Sequence, residues 1–356
     1  MRRLPVYFVI DVSESMVGEP IEQVQNGMRS IIQDLRTDPY ALETVFVSVI
    51  AFAGRAKSLF PLTELYKFYP PIIPIGGGTS LGAAMNFLMD DMDRSIQKTT
   101  MEVKGDWKPI IFLFTDGTPT DNPSTAFNRW NTKYRSHCNL IAVSIGQNMD
   151  TTILTNITDN VYRLNETDSS SFQQFFKWIT ASVKTSSMSV TDTGIDEINL
   201  APVDGINLEK VDKNEKVVVD ENFAVIQGKC QNTKKTYLIK YAKNFQPFRY
   251  KQNGVIIEYN NIPIEKYKLV GAYQIDEDEY KSLSENGGRL PTINTAEMIG
   301  HPTCPCCGNQ FGLVICECGN VFCVGSDGHA SCPWCGMEGQ LSSVGEEGMD
   351  VNRTRG

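Results

Sequence analysis

Apolar residues in the first half of the chain recur in two alternating rhythms. Residues 4–10 form a short continuous apolar run, as expected of a strand buried on both faces. Residues 45–52, 109–114 and 140–145 repeat that run, and residues 57–60 with their flanks predict a further strand. Between them Ile21, Val24, Met28, Ile31, Ile32 and Leu35 fall at helical spacing. Leu81, Ala84, Leu88, Met92 and Ile96 mark a second helix, and Phe172, Phe175, Phe176, Ile179 and Val183 a closing one. Strand–helix alternation of this kind predicts a doubly wound, mainly parallel, Rossmann-like α/β sheet over residues 1–187.

The rhythm changes after residue 187. Residues 187–199 are polar and read as a linker, and helical periodicity then gives way to β-rich segments at 216–219, 223–227, 236–241, 255–259 and 267–275. Asn253-Gly254 is a turn signal ahead of a strand. A small β-rich module is therefore expected over 188–300, with Asp276-Glu277-Asp278-Glu279 as a solvated surface and Cys230 as a structural cysteine. A cysteine-rich module follows at 301–340. Residues 341–356, rich in glycine and charge, read as a flexible tail.

Composition narrows the function classes. The 356 residues are 41% hydrophobic and 21% charged, within the globular range, and the net charge is −9. An acidic chain without a basic run offers no footprint for nucleic acid or an anionic membrane. No apolar stretch reaches the ~18 residues of a membrane span, and the start does not read as a signal peptide. A cytoplasmic home is expected, where clustered thiols signify metal more often than disulfide.

Two sets of residues carry chemistry. The first strand runs into Asp11-Val12-Ser13-Glu14-Ser15, a glycine run at 76–78 leads into Thr79, and the strand at 110–114 ends in Thr115-Asp116-Gly117. Each segment starts where ligands gather in an open α/β sheet. Asp11, Ser13, Ser15, Thr79 and Asp116 together offer hard oxygen donors, suited to Mg²⁺ or Mn²⁺, with a coordination position left open. Each piece alone reads as a turn or a helix cap.

Of the ten cysteines, eight lie between Cys304 and Cys335. Cys304-Pro305-Cys306-Cys307-Gly308 and Cys332-Pro333-Trp334-Cys335-Gly336 each hold a C-x₂-C knuckle. Setting Cys306 aside, Cys304, Cys307, Cys316, Cys318, Cys323, His329, Cys332 and Cys335 are eight ligands, enough for two closed zinc sites. A single zinc on the two outer knuckles is the alternative. Pairing is open between a sequential and a cross-braced arrangement. His301 reads as a loop residue, and the short span favours a zinc ribbon over a RING finger. So small a module depends on metal for its folding energy.

With these residues in place, the chain resembles a von Willebrand factor type A domain carrying a complete metal-ion-dependent adhesion site. The run 4–16 and the cysteine-rich end narrow the resemblance to the bacterial TerY-like proteins of tellurium-resistance and stress systems. That resemblance implies that Ser13, Ser15 and Thr79 contact the metal, and that Asp11 and Asp116 act directly or through water. It further implies a non-enzymatic scaffold that takes an acidic residue of a protein partner, beside a protein kinase and a PP2C-type phosphatase. The competing expectation is a ubiquitin-ligase-type factor using the cysteines as a RING-like cross-brace.

Overall fold

A computed structural model describes residues 2–145, 151–164, 169–192, 208–210, 223–252, 255–284, 291–341 and 348–354. The chain divides into two compact units. The first is Met1–Asp220 with Lys281–Glu285 and Gly356, and the second is Glu221–Tyr280 with Asn286–Arg355.

The first unit runs β1 (Leu4–Asp11), α1 (Glu19–Leu35), α2 (Pro39–Thr44), β2 (Val45–Phe52), β3 (Ala56–Glu64), α3 (Leu81–Ser95), β4 (Ile110–Thr115), α4 (Ser124–Lys133), β5 (Asn139–Ile145), α5 (Thr152–Thr155), β6 (Asn160–Leu164), α6 (Ser169–Asp192) and β7 (Leu208–Lys210). The strands form one sheet in the order β3-β2-β1-β4-β5-β6-β7. The pairs from β2 to β6 are parallel, while the edge strands β3 and β7 are antiparallel. The α/β expectation is thus met.

Alternation along β1 shows how the sheet divides two cores. Leu4, Val6, Phe8 and Ile10 pack with α1 and α6 on one face, and Tyr7 and Val9 with α3 and α4 on the other. Every residue of β1 is buried, which is why its sequence is a run and not an alternation. α1 lies so close to α6 that a Cβ on Gly27 would sit 1.9 Å from the Phe176 ring. α6 extends to Asp192, past the start of the linker read from the sequence. The rest of that linker and the strand expected at 216–219 lie outside the described residues.

The second unit contains β8 (Phe223–Lys229), β9 (Thr236–Gln252), β10 (Val255–Gln274), β11 (Thr292–Asn294), β12 (Met298–Ile299), β13 (Phe311–Ile315), β14 (Val321–Val324), β15 (His329–Ser331), β16 (Glu338–Gln340) and β17 (Asp350–Asn352). Six strands form one sheet in the order β12-β10-β9-β8-β14-β13. Strands of the β-rich segment and of the cysteine-rich segment therefore share a sheet, joined by the parallel pair β8–β14. The boundary that the sequence suggests at residue 300 therefore runs through this sheet, because a parallel pairing between distant strands leaves no local signal. The tail also departs from expectation: β17 pairs antiparallel with β11, and Val351 is buried in the same core as Cys304.

Residues 276–279, expected as a solvated acidic surface, open a short helix, α7 (Glu277–Leu283), with Asp276 and Asp278 exposed. The Asp276 carboxylate accepts from the N–H groups of Asp278 and Glu279, both at 3.0 Å, as an N-cap does. Among the described residues no helix is long and apolar enough to cross a membrane.

Candidate metal centres

The oxygen cluster sits at the carboxyl ends of β1 and β4, adjacent parallel strands at the point where the strand order reverses. Asp11 is the last residue of β1 and fully buried. Its carboxylate accepts from the Ser13 N–H at 2.9 Å and from the Thr115 hydroxyl at 2.5 Å. The Ser13 and Ser15 hydroxyls are 3.0 Å apart, and Ser15 donates to Asp116 at 2.8 Å. Gly117 brings in the last member, since a Cβ there would lie 3.3 Å from Thr79 Oγ1 and 3.9 Å from Ser15 Oγ. The five residues expected from the sequence thus gather at one place.

Two features of this cluster fit a cation. Thr79 Oγ1 is buried without a hydrogen-bond partner among the described residues. Burial, the nearby Asp116 charge added to it, pushes the Asp11 carboxyl up to about 7 despite hydrogen bonds from Thr115 and Ser13. A hard divalent ion would relieve both costs, by accepting the orphaned oxygen lone pair and neutralising the carboxylates.

The loop that presents Thr79 is held from several sides. The Gly76 N–H donates to Val12 O at 2.8 Å, and the Gly78 N–H, at φ +85, donates to the buried Glu14 carboxylate at 3.0 Å. The Thr79 N–H donates to the Thr120 hydroxyl at 3.1 Å, while the Thr120 N–H donates to Thr79 O at 2.7 Å. The Ser80 hydroxyl donates to Asp121 at 2.6 Å. Glu14, Thr120 and Asp121 were not singled out from the sequence. Glu14 escapes because it occupies the variable position of Asp-x-Ser-x-Ser; the other two follow the Thr-Asp-Gly turn without a pattern of their own.

The cysteines form two groups of four: Cys230, Cys304, Cys307 and Cys323, and Cys316, Cys318, Cys332 and Cys335. Within each group all sulfurs lie within 4.8 Å of one another. Tetrahedral zinc with bonds of about 2.3 Å needs sulfurs about 3.8 Å apart. Cys307–Cys323 and Cys230–Cys323 are at 3.8 Å, Cys316–Cys335 at 3.6 Å and Cys318–Cys332 at 3.9 Å. Both sets fit a closed structural zinc.

This corrects the ligand set read from the sequence. His329 belongs to neither group; it lies exposed at the start of β15, its carbonyl accepting from the Gln231 side chain. Cys230 takes the eighth place. Groups are interleaved along the chain, so the pairing is cross-braced and not sequential. Cys306, within the first knuckle, is in neither group and packs against the core that holds Cys304; burial, the neighbouring thiols adding to it, pushes its thiol up to about 12. His301 is exposed and also in neither group.

Four turns share one design. The Gly308 N–H donates to Cys304 O and the Cys304 N–H to Asn309 O; Gly336, Cys332 and Met337 repeat the pair, and Gly319, Cys316 and Asn320 do so one residue tighter. These three glycines have φ between +77 and +80. At Cys230 the same bonds come from Lys234 and Lys235, with Lys234 at φ +60. Cys230 therefore lies on a knuckle of its own, with Thr233 where a second cysteine would stand. Burial works against its thiolate, but hydrogen bonds from Thr233 outweigh it and bring Cys230 to about 7. The glycine that flags the other knuckles is missing here, so the sequence conceals this one.

Comparison with known families matches this division. Residues 6–178 match the von Willebrand factor type A domain, and residues 220–356 match the TerY-C metal binding domain. The chain is TerY-like. Its metal-binding match includes Cys230 and both sulfur groups. The TerY-like chain is 27% identical over 155 residues to human inter-alpha-trypsin inhibitor heavy chain H6, covering 42% of this chain and 12% of that protein. To mouse inter-alpha-trypsin inhibitor heavy chain 4 it is 31% identical over 152 residues, 40% of this chain and 15% of that protein. It thus spans less than a sixth of either relative. Among solved structures, mussel byssus proximal thread matrix protein 1, with a zinc-occupied MIDAS motif, is 20% identical, covering 50% of this chain and 46% of that one at a TM-score of 0.35.

Proposed function

We propose that the first domain is a metal-dependent protein-interaction module. Asp11, Ser13, Ser15, Thr79 and Asp116 would hold Mg²⁺ or Mn²⁺, leaving a position for an acidic side chain of a partner. The observation that carries this reading is the buried Thr79 hydroxyl, without a hydrogen-bond partner among the described residues, beside the fully buried Asp11 carboxylate. Two zinc ions in the second unit would be structural, because four thiolates close each coordination sphere. The resemblance to TerY-like proteins supports a scaffold in a tellurium-resistance or stress-response phosphorylation system, with a kinase and a PP2C-type phosphatase as partners.

The test is pull-down of partners, identified by mass spectrometry, with wild type and Asp11→Ala in Mg²⁺ and in chelator. Partners lost in Asp11→Ala and in chelator support the reading; equal capture in all arms defeats it.

The interleaved sulfur groups favour a second reading, a RING-like ligase. Against it, the described residues between Gly300 and Leu341 form strands and turns, without the central helix of that family. Discharge of a charged ubiquitin-conjugating enzyme would decide for it.

A further inference from the structure

The loop that carries Thr79 has a support far away in sequence. Residues 281–285 belong to the first unit, although flanking residues belong to the second. Leu283 is fully buried in the core beneath α1 and α6. Its carbonyl accepts from the Arg55 N–H at 2.8 Å, and the Ser284 hydroxyl accepts from the Gly77 N–H at 2.8 Å. Leu283 leaves no space beside the loop: a Cβ on Gly76 would come within 2.5 Å of Leu283 Cβ and 2.7 Å of Ala53 Cβ. Gly76, Gly77 and Gly78 are thus each tied to a different segment: Gly76 to the end of β1, Gly77 to Ser284, Gly78 to Glu14. Thr79 is the next residue.

We infer that Leu283 and Ser284 are positioning residues of the oxygen site, setting its affinity for a divalent cation by fixing the loop from which Thr79 projects. Leu283 wedges the glycine run against Ala53, and Ser284 gives the Gly77 amide a partner. The inference rests on the metal-site reading above. Binding free energies are reciprocal, so a cation held by Thr79 tightens the 283–284 segment as that segment tightens the site.

The test uses the full chain and Mn²⁺ as the probe. Mn²⁺ affinity is measured by electron paramagnetic resonance for wild type, Asp11→Ala, Ser284→Ala and Ser284→Thr, with the melting temperature of each metal-free protein. The expected result is about fivefold weaker Mn²⁺ binding in Ser284→Ala, the size of one net hydrogen bond, with recovery in Ser284→Thr. Ser284→Ala should lower the metal-free melting temperature by no more than about 2–4 °C. In wild type, Mn²⁺ should slow hydrogen exchange at the Gly77 amide. Equal affinity in wild type and Ser284→Ala, with Asp11→Ala unable to bind, overturns the positioning role alone. Equal affinity in wild type and Asp11→Ala overturns the site reading and the inference with it.

Discussion

The sulfur atoms of Cys230 and Cys323 lie 3.8 Å apart although the two residues are 93 positions apart in the chain. Four cysteines including this pair form the first sulfur group, and His329 is outside it. Cys230→Ser should therefore reduce zinc from about two ions per chain to about one, read by release to a colorimetric chelator. His329→Ala should retain both. Loss of zinc in His329→Ala with none in Cys230→Ser would restore the ligand set read from the sequence.

Asp11 sets a pH dependence with a definite sign. Its carboxyl rises from 3.8 to about 7 on folding, through burial and then the charge of Asp116. The folded protein therefore binds this proton more tightly than the unfolded chain does. Metal-free stability should fall as pH climbs from about 4 to about 7, the full penalty standing above that range. Asp11→Asn should raise the melting temperature of chelator-treated protein at neutral pH and abolish the rise given by Mg²⁺. Thermal melts between pH 5 and 8 check both.

Gly27→Ala tests packing against propensity. Alanine gains about 1 kcal/mol over glycine within a helix. The added Cβ would overlap the Phe176 ring, however, and overpacking a core costs about 1–3 kcal/mol. Net destabilisation is expected in a denaturant melt of the first unit's transition. A gain would mean that α6 yields freely.

Lys234 holds a left-handed backbone that costs a non-glycine residue about 1–2 kcal/mol. Lys234→Gly should leave zinc content unchanged and stabilise the zinc-loaded protein slightly, part of the gain being offset by unfolded-state entropy. Slower zinc loss to chelator is the corresponding readout.

The legible and the illegible parts of this chain differ by how local their causes are. β1 could be read because burial on both faces leaves an unbroken apolar run; Asp11, Ser13, Ser15 and Asp116 because they follow strands that such runs announce, and Thr79 because a glycine run precedes it. Glycine at positive φ announced three knuckles. Cys230 is hidden in the sequence because a lysine occupies the glycine position of its turn, and His329 reads as a ligand because it lies within the cluster and has the right chemistry. Glu14, Leu283 and Ser284 have roles defined only by what folds against them. β17 was read as a loose tail because three residues paired with a distant strand make no periodicity.

The interleaved sulfur groups have a consequence for loop length. Cys230 and Cys304 meet in one group, and the chain between them contains the long β9–β10 hairpin. The entropy of closing a flexible loop grows only logarithmically, about 0.6 kcal/mol for each doubling of length. A clamp of four thiolates at the base can absorb that change. The far end of the hairpin should therefore tolerate changes of length while the metal-held base stays the same.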